Sequence, residues 1–336
     1  MGTRWLPTLA VLLAALAGVS PATAQDTLRE RLKARIEQRR AEREAPAAPA
    51  DDAAPGGLQT LKVQGREVLV HLPAGHDAAR PAPLVLAFHG GGGHAAHMAD
   101  DAHYGLQRQA DVGGFIVAFP NGYSGFPGGK FATWNAGGCC GGARDRGSDD
   151  VAFARAVVAA VQARWRVDAG RVFATGMSNG GMLSHRLACD AADLFRAVAS
   201  VAGTDATAQC QPSRPIAVLH IHARDDDHVL YSGGAGPNAF RDTRKVMEFV
   251  SVPDTIARWV QRNQCAAPPQ PVLDRPGAHC EAYRGCAGGV QVQLCTTDTG
   301  GHSWPGAPGG GRGKAGPSQA LDANAVIWQF FEQAAR

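Results

Sequence analysis

Residues 171–190, RVFATGMSNGGMLSHRLACD, constrain the fold of this chain more than any other stretch. A short apolar run at 172–175 enters Gly176-Met177-Ser178-Asn179-Gly180, and a helix-like sequence follows. G-x-S-x-G between a strand and a helix makes a sharp turn that lifts the serine hydroxyl clear at the end of a sheet. The turn crowds its own backbone, which calls for glycine on both sides. The N–H of Asn179 falls at a helix N-terminus, where backbone donors have no partner within the helix. Ser178 is therefore a candidate nucleophile and Asn179 a candidate oxyanion donor.

The rest of the chain supplies a frame for such a turn. Apolar runs with strand character occur at 66–72, 84–88, 115–119, 172–175, 197–201, 216–221 and 290–296. The first alternates and reads as an edge strand; 84–88 and 115–119 are continuous, as in buried parallel strands. Helical patterns occur at 96–110, 149–164, 180–189, 253–264 and 321–334, with Ser148 as the expected N-cap of the second. This alternation predicts an α/β fold, a mostly parallel sheet with helices on both faces. Residues 121–147 and 230–252 break the rhythm. Loops of this kind at the carboxyl ends of strands are where such folds carry a site.

The chain has 336 residues. Arg4 precedes an apolar run at 9–19, and small residues follow to Ala22-Thr23-Ala24. This predicts a secretory signal peptide over residues 1–24 and a secreted, extracellular or periplasmic location. The run is too short for a membrane span, and no cysteine stands at the cleavage site to take a lipid, so no stable membrane anchor is expected. Residues 25–57 read as a charged helix, with acidic residues interleaved among the basic ones, followed by a Pro/Ala-rich linker. The folded domain is expected over 58–336. A formal net charge of +3 does not argue for nucleic acid.

Eight cysteines behind a signal peptide predict disulfides. No C-x-x-C pair is present, so a zinc ribbon is not expected. Cys139 and Cys140 are adjacent and would pair awkwardly with each other. At least one is expected to bond a distant cysteine and tie the 121–147 loop to the sheet.

A serine hydroxyl is a poor nucleophile at neutral pH. It needs a base, and the base needs a group to hold its tautomer and its charge. With a strand–elbow–helix nucleophile the order along the chain is Ser, then Asp or Glu, then His. After the strand at 216–221 comes His222-Ala223-Arg224-Asp225-Asp226-Asp227-His228-Val229, and after the last strand comes Gly300-Gly301-His302-Ser303-Trp304. His302, in a glycine loop, is the best base among twelve histidines. His220 and His222 fall on a strand and read as packed, and His185 as structural. The residues alone leave Asp225, Asp226 and Asp227 open for the acid, with the other two as solvated charges.

Upstream, Phe88-His89-Gly90-Gly91-Gly92-Gly93 follows a buried strand. Such a loop lets the backbone aim N–H groups at a ligand. No Gly-Lys-Ser/Thr follows, and no G-x-G-x-x-G opens a helix, so nucleotide loops are excluded. His94, His97 and His103 read as a polar helix face, with no metal expected. Trp134 and Trp304 lie in the two loops flanking the site and are expected to form substrate-binding walls.

Four segments in this order carry a resemblance: 88–93, Thr133-Trp134-Asn135-Ala136-Gly137-Gly138-Cys139-Cys140-Gly141, 175–182 and 300–306. They resemble the secreted polyhydroxybutyrate depolymerases, a family close to feruloyl and acetylxylan esterases. The similarity runs from about Leu61 to the C-terminal helix. It implies an α/β-hydrolase fold and a serine esterase with a Ser–His–Asp triad and no cofactor. The family pattern His-Gly-x-x-Asp-x-x-Val, with Ala223 here in place of its glycine, puts Asp226 at the acid position. The family's oxyanion pattern points to Gly91 alongside Asn179. The implied partner is an ester substrate: hydroxybutyrate polymer or oligomers, or alternatively feruloyl or acetylxylan esters. Depolymerases acting on crystalline polymer commonly carry a separate binding domain. None is recognisable after the last helix, so soluble esters are expected as much as solid polymer. A non-catalytic secreted binding protein of the same fold would be expected to lack a triad member.

Overall fold

The computed structural model describes residues 30, 56–239, 249–309 and 316–336. Contacts divide the chain into Met1–Asp51 and Asp52–Arg336, and every element below belongs to the second unit. The expected signal peptide, and nearly all of the expected charged helix and linker, lie outside the described residues.

Ten strands pair in one sheet: β1 (Leu58–Val63), β2 (Arg66–His71), β3 (Ala82–Phe88), β4 (Ile116–Pro120), β5 (Val167–Met177), β6 (Ala197–Val201), β7 (Ala217–Ala223), β8 (Gln270–Arg275), β9 (Ala278–Tyr283) and β10 (Val292–Thr297). Their spatial order is β1-β2-β4-β3-β5-β6-β7-β10-β9-β8. The inner strands from β4 to β10 run parallel, and an antiparallel pair closes each side. The inner strands are apolar on both faces because helices cover both. Leu84, Leu86 and Phe88 of β3 face one layer, and Val85 and Ala87 face the other.

Seven α-helices are described: α1 (Ala95–Ala99), α2 (Leu106–Gly113), α3 (Gly141–Asp145), α4 (Asp150–Gln162), α5 (Asn179–Asp190), α6 (Val252–Arg262) and α7 (Ala323–Ala334). Phe153 of α4, Leu183 of α5 and Trp259 of α6 pack on the first face. Met98 of α1, Ala110 of α2 and Phe331 of α7 pack on the second.

Three local expectations change. The strand at 66–72 is not at the edge, since β1 pairs outside it. The helical pattern at 96–110 is two helices. Gly105 takes a left-handed φ of 70°, and the Asp101 carboxylate accepts the backbone N–H of Gln107 and Arg108, capping α2 from outside. Asp149, not Ser148, caps α4, by accepting the Ala152 N–H at 2.9 Å.

All eight cysteines are paired: Cys139–Cys140, Cys189–Cys210, Cys265–Cys286 and Cys280–Cys295. The expectation that Cys139 or Cys140 reaches a distant partner is overturned; they bond each other across a cis peptide. Their loop is tied down by hydrogen bonds instead. Gly138 N–H donates to the Ala206 carbonyl at 2.8 Å, and Asn135 N–H to the buried Asp150 carboxylate at 2.7 Å. Among the described residues no helix is long and apolar enough to cross a membrane.

Candidate active site

The parallel strands bring the loops after β3, β5, β7 and β10 to one end of the sheet, where ligand crevices form in open α/β folds. A cleft of about 330 Å³ opens there, and Gly91, Ser178, Asn179, His228 and His302 all line it.

Ser178 sits between β5 and α5 at φ 55° and ψ −119°, a backbone conformation that is costly for any residue but glycine. Its N–H is held by the Val201 carbonyl at 2.7 Å, and its carbonyl accepts the Met182 N–H at 2.9 Å. The flanking glycines are required by close approach. A Cβ at Gly180 would strike the Phe88 carbonyl, and one at Gly176 would strike the Gly180 backbone.

The Asn179 side chain clamps residue 134 from both sides. Its Oδ1 accepts the Trp134 N–H at 2.8 Å, and its Nδ2 donates to the Trp134 carbonyl at 3.0 Å. Opposite, His89 is fully buried. Its Nε2 accepts the Gly122 N–H at 3.0 Å, which leaves the proton on Nδ1, facing the Gly90 carbonyl at 2.8 Å. Burial depresses the His89 pKa to about 4, so the ring is neutral. This pins the glycine loop, and Gly91 with it, beside Ser178.

The three consecutive aspartates have three different partners. Asp226 Oδ2 meets His302 Nδ1 at 2.8 Å, and its Oδ1 accepts the N–H of His228 and of Val229. Burial opposes ionisation of Asp226, but the ring N–H groups of His222 and His302 outweigh it and hold the carboxyl well below its ordinary range. Burial likewise lowers the His302 pKa, although Asp226 pulls it upward. Asp225 is exposed but not idle: its carboxylate accepts the N–H of Gly301 at 2.8 Å and of Gly300 at 3.3 Å, bracing the His302 loop. Asp227 meets His228 Nδ1 at 2.7 Å.

His228 was not legible as a site residue. It lines the cleft and stacks on His302, yet its sequence signal is only that it follows the aspartates by one position. Asp226, His228 and His302 each place one donor atom within 4.8 Å of the others, the donor set in which a cation could sit. The Nδ1 atoms of both rings already face carboxylates. His94 caps α1 by accepting the His97 N–H, and His103 Nδ1 faces Asp100 at 2.9 Å; this polar helix end borders the cleft through His97.

The two tryptophans are not walls. Trp134 and Trp304 are 0% and 1% exposed and do not line the cleft. Trp134 Nε1–H donates to the His89 carbonyl at 2.9 Å, and its ring packs edge-on against Phe88. Trp304 donates to Asn324 Oδ1 at 2.9 Å and packs edge-on against Tyr104. A large ring with one polar atom is best accommodated under a loop when that N–H finds an acceptor there. The apolar part of the cleft includes Met177, Met182, Val229, Phe249 and Tyr104 instead.

A likeness to an acetyl xylan esterase from Aspergillus awamori covers 82% of this chain and 99% of that one, at 15% identity and a TM-score of 0.54, which shows the α/β-hydrolase fold. The chain is 33% identical over 243 residues to feruloyl esterase B of Piromyces equi, covering 71% of this chain and 42% of the relative. It thus spans less than half the length of that enzyme. It is 30% identical over 276 residues to feruloyl esterase C of Emericella nidulans, covering 80% of this chain and 85% of the relative. Residues 67–235 match the family described as Esterase PHB depolymerase. That stretch holds the His89 loop, the Trp134 segment, the Ser178 turn and the three aspartates in one continuous alignment, and by it the chain is a member of the Esterase PHB depolymerase family.

Proposed function

We propose that this chain is an exported serine ester hydrolase in which Ser178 attacks the ester carbonyl, His302 takes the hydroxyl proton, and Asp226 holds His302 in place. The observation that carries this reading is the 2.8 Å contact of buried Asp226 with His302 Nδ1. It leaves Nε2 as the ring atom for the serine, at the cleft that Ser178 also lines. The Gly91 and Asn179 N–H groups hold the oxyanion. His302 then protonates the leaving alkoxide, and water repeats the cycle on the acyl-enzyme. The four disulfides support an oxidising compartment, extracellular or periplasmic.

The substrate is a carboxylic ester whose acyl group lies in the space beside Met177, Met182 and Phe249. The family supports a hydroxybutyryl group, from polymer or oligomers. The feruloyl esterases among its relatives support a second reading, an aromatic acyl group of plant-wall esters. The test is covalent labelling by a serine-directed phosphonate, followed by hydrolysis of hydroxybutyrate oligomers, methyl ferulate, acetylated xylan and short p-nitrophenyl esters. Ser178→Ala is expected to abolish both labelling and turnover, with activity falling on the order of 10⁴-fold or more in a folded protein. A folded wild-type protein that takes no label and cleaves no ester would instead be a binding protein.

A further inference from the structure

The side of Asp226 turned away from the cleft meets another histidine. Three buried rings, His185 on α5 and His220 and His222 on β7, form a file that starts at Trp259 of α6 and ends at Asp226. Trp259 Nε1 lies 2.9 Å from His185 Nδ1, and His185 Nε2 lies 3.3 Å from His220 Nδ1. His220 Nε2 lies 3.1 Å from His222 Nδ1. His222 Nε2 lies 2.8 Å from the Val229 carbonyl oxygen and 3.3 Å from Asp226 Oδ2. Successive histidine rings are stacked, with planes 26° and 16° apart.

The direction of every bond in this file follows from its first member. An indole N–H can only donate. His185 Nδ1 is thus an acceptor, and the neutral ring carries its proton on Nε2. That proton faces His220 Nδ1, which must accept, so His220 also carries its proton on Nε2. The same step makes His222 an Nε2–H donor toward Val229 and Asp226. A second proton on either His220 or His222 would set two N–H groups face to face. Burial keeps His185 and His220 neutral, with His185 depressed to about 4 and His220 well below its ordinary value. The other ionisable groups around the file are Asp205 and Arg262 near His185, and Tyr231, Asp226 and His302 near His222. The Gly203 backbone also bonds His185.

We propose that His222 is a positioning residue for Asp226, and that Trp259, His185 and His220 lock its tautomer so that an N–H always faces the carboxylate oxygen that holds His302. This rests on the reading of Asp226 as the acid of the triad. With His222 in place, Oδ2 is bonded by the His302 N–H and has the His222 Nε2–H, which also meets the Val229 carbonyl, 3.3 Å away, while Oδ1 meets two backbone N–H groups. His302 and the two backbone N–H groups already hold both oxygens; what His222 adds is a second positive edge beside Oδ2, which moderates the negative charge presented to His302.

The test combines a variant with a measurement on the unaltered protein. His222→Phe keeps a ring and removes the donor. It is expected to lower kcat on the order of 10- to 100-fold, the effect of a lost hydrogen bond to a charged group, with KM changed less than about twofold. The barer carboxylate then holds the His302 proton more tightly. The acid limb of kcat/KM therefore moves to higher pH by about half a unit or more, which loss of packing alone would not cause. His222→Gln, whose amide can place an N–H toward Asp226, is expected to recover part of kcat. In ¹⁵N-histidine NMR of the unaltered protein near pH 7.5, His185, His220 and His222 are expected as neutral Nε2–H tautomers, and an Nδ1–H tautomer at His222 would overturn the proposal. If Asp226→Asn remains active, the triad reading fails. If Asp226→Asn is inactive while His222→Phe keeps the unaltered kcat and pH profile, the role of His222 alone is disproved.

Discussion

His228 lies face to face on His302, with ring centroids 4.6 Å apart and planes 13° apart. Each ring turns its Nδ1 toward one of two consecutive aspartates, His302 to Asp226 and His228 to Asp227. When His302 takes the serine proton it becomes a cation, and the electrostatic influence of the neighbouring His228 ring opposes that step by lowering the His302 pKa. His228→Phe keeps the stacked surface and removes that electrostatic influence. The acid limb of kcat/KM is expected to move upward by a few tenths of a unit to about one unit. A pH–rate profile that does not move would show that the two rings are not electrostatically coupled.

The three aspartates separate by partner. Asp226→Asn disturbs the imidazole tautomer and is expected to lower kcat on the order of 10⁴-fold. Asp225→Asn loosens the grip on Gly300 and Gly301 and is expected to cost roughly tenfold or less, with a lowered melting temperature. Steady-state kinetics on the two purified variants checks this. A larger loss in Asp225→Asn than in Asp226→Asn would shift the acid by one residue.

Buried neutral histidines make stability depend on pH. His89 and His185 have pKa values near 4, and His220 is also well below the ordinary 6.5. The unfolded chain therefore binds more protons than the folded one between pH 6.5 and about 4. Their contribution is complete above about pH 6.5 and is lost as pH falls toward 4, on the order of 3 kcal/mol each for His89 and His185. Asp226 acts in a lower window. Its depressed pKa adds stability that is lost only below about pH 4. Thermal melts are expected to show Tm falling steeply from pH 6.5 to 4. A constant Tm over that range would mean the histidines are not buried neutral.

Trp304→Ala removes a buried ring, its bond to Asn324 and its contact with Tyr104. A loss of roughly 3–5 kcal/mol of stability is expected, with bulky and acetate esters slowed alike. A rise in KM confined to bulky esters, at unchanged Tm, would put the indole in the substrate pocket.

The inner frame of this protein is legible along the chain. Runs such as 84–88 and 197–201 are continuous and apolar because parallel strands are buried on both faces, and that pattern survives in one dimension. The Ser178 turn was legible for a similar reason. The need for glycine at 176 is local, since a Cβ there would strike the Gly180 backbone of the same turn, whereas the need at 180 comes from the approach of β3. The outer strands were less so: β8 is mostly exposed, its six residues QPVLDR show no buried face, and only pairing with β9 makes it a strand. The residue types leave three adjacent aspartates equivalent; the family pattern pointed to Asp226, and only the folded loop shows the physical difference, since the three side chains point in different directions. Tertiary structure decided that Trp134 and Trp304 pack beneath their loops, because an indole's exposure depends on an acceptor contributed from elsewhere in the chain. The file from Trp259 to Asp226 could not be read in advance either. Its members lie on α6, α5 and β7, up to 74 residues apart at a single hydrogen bond, and only the packing of helices on the sheet brings them into line.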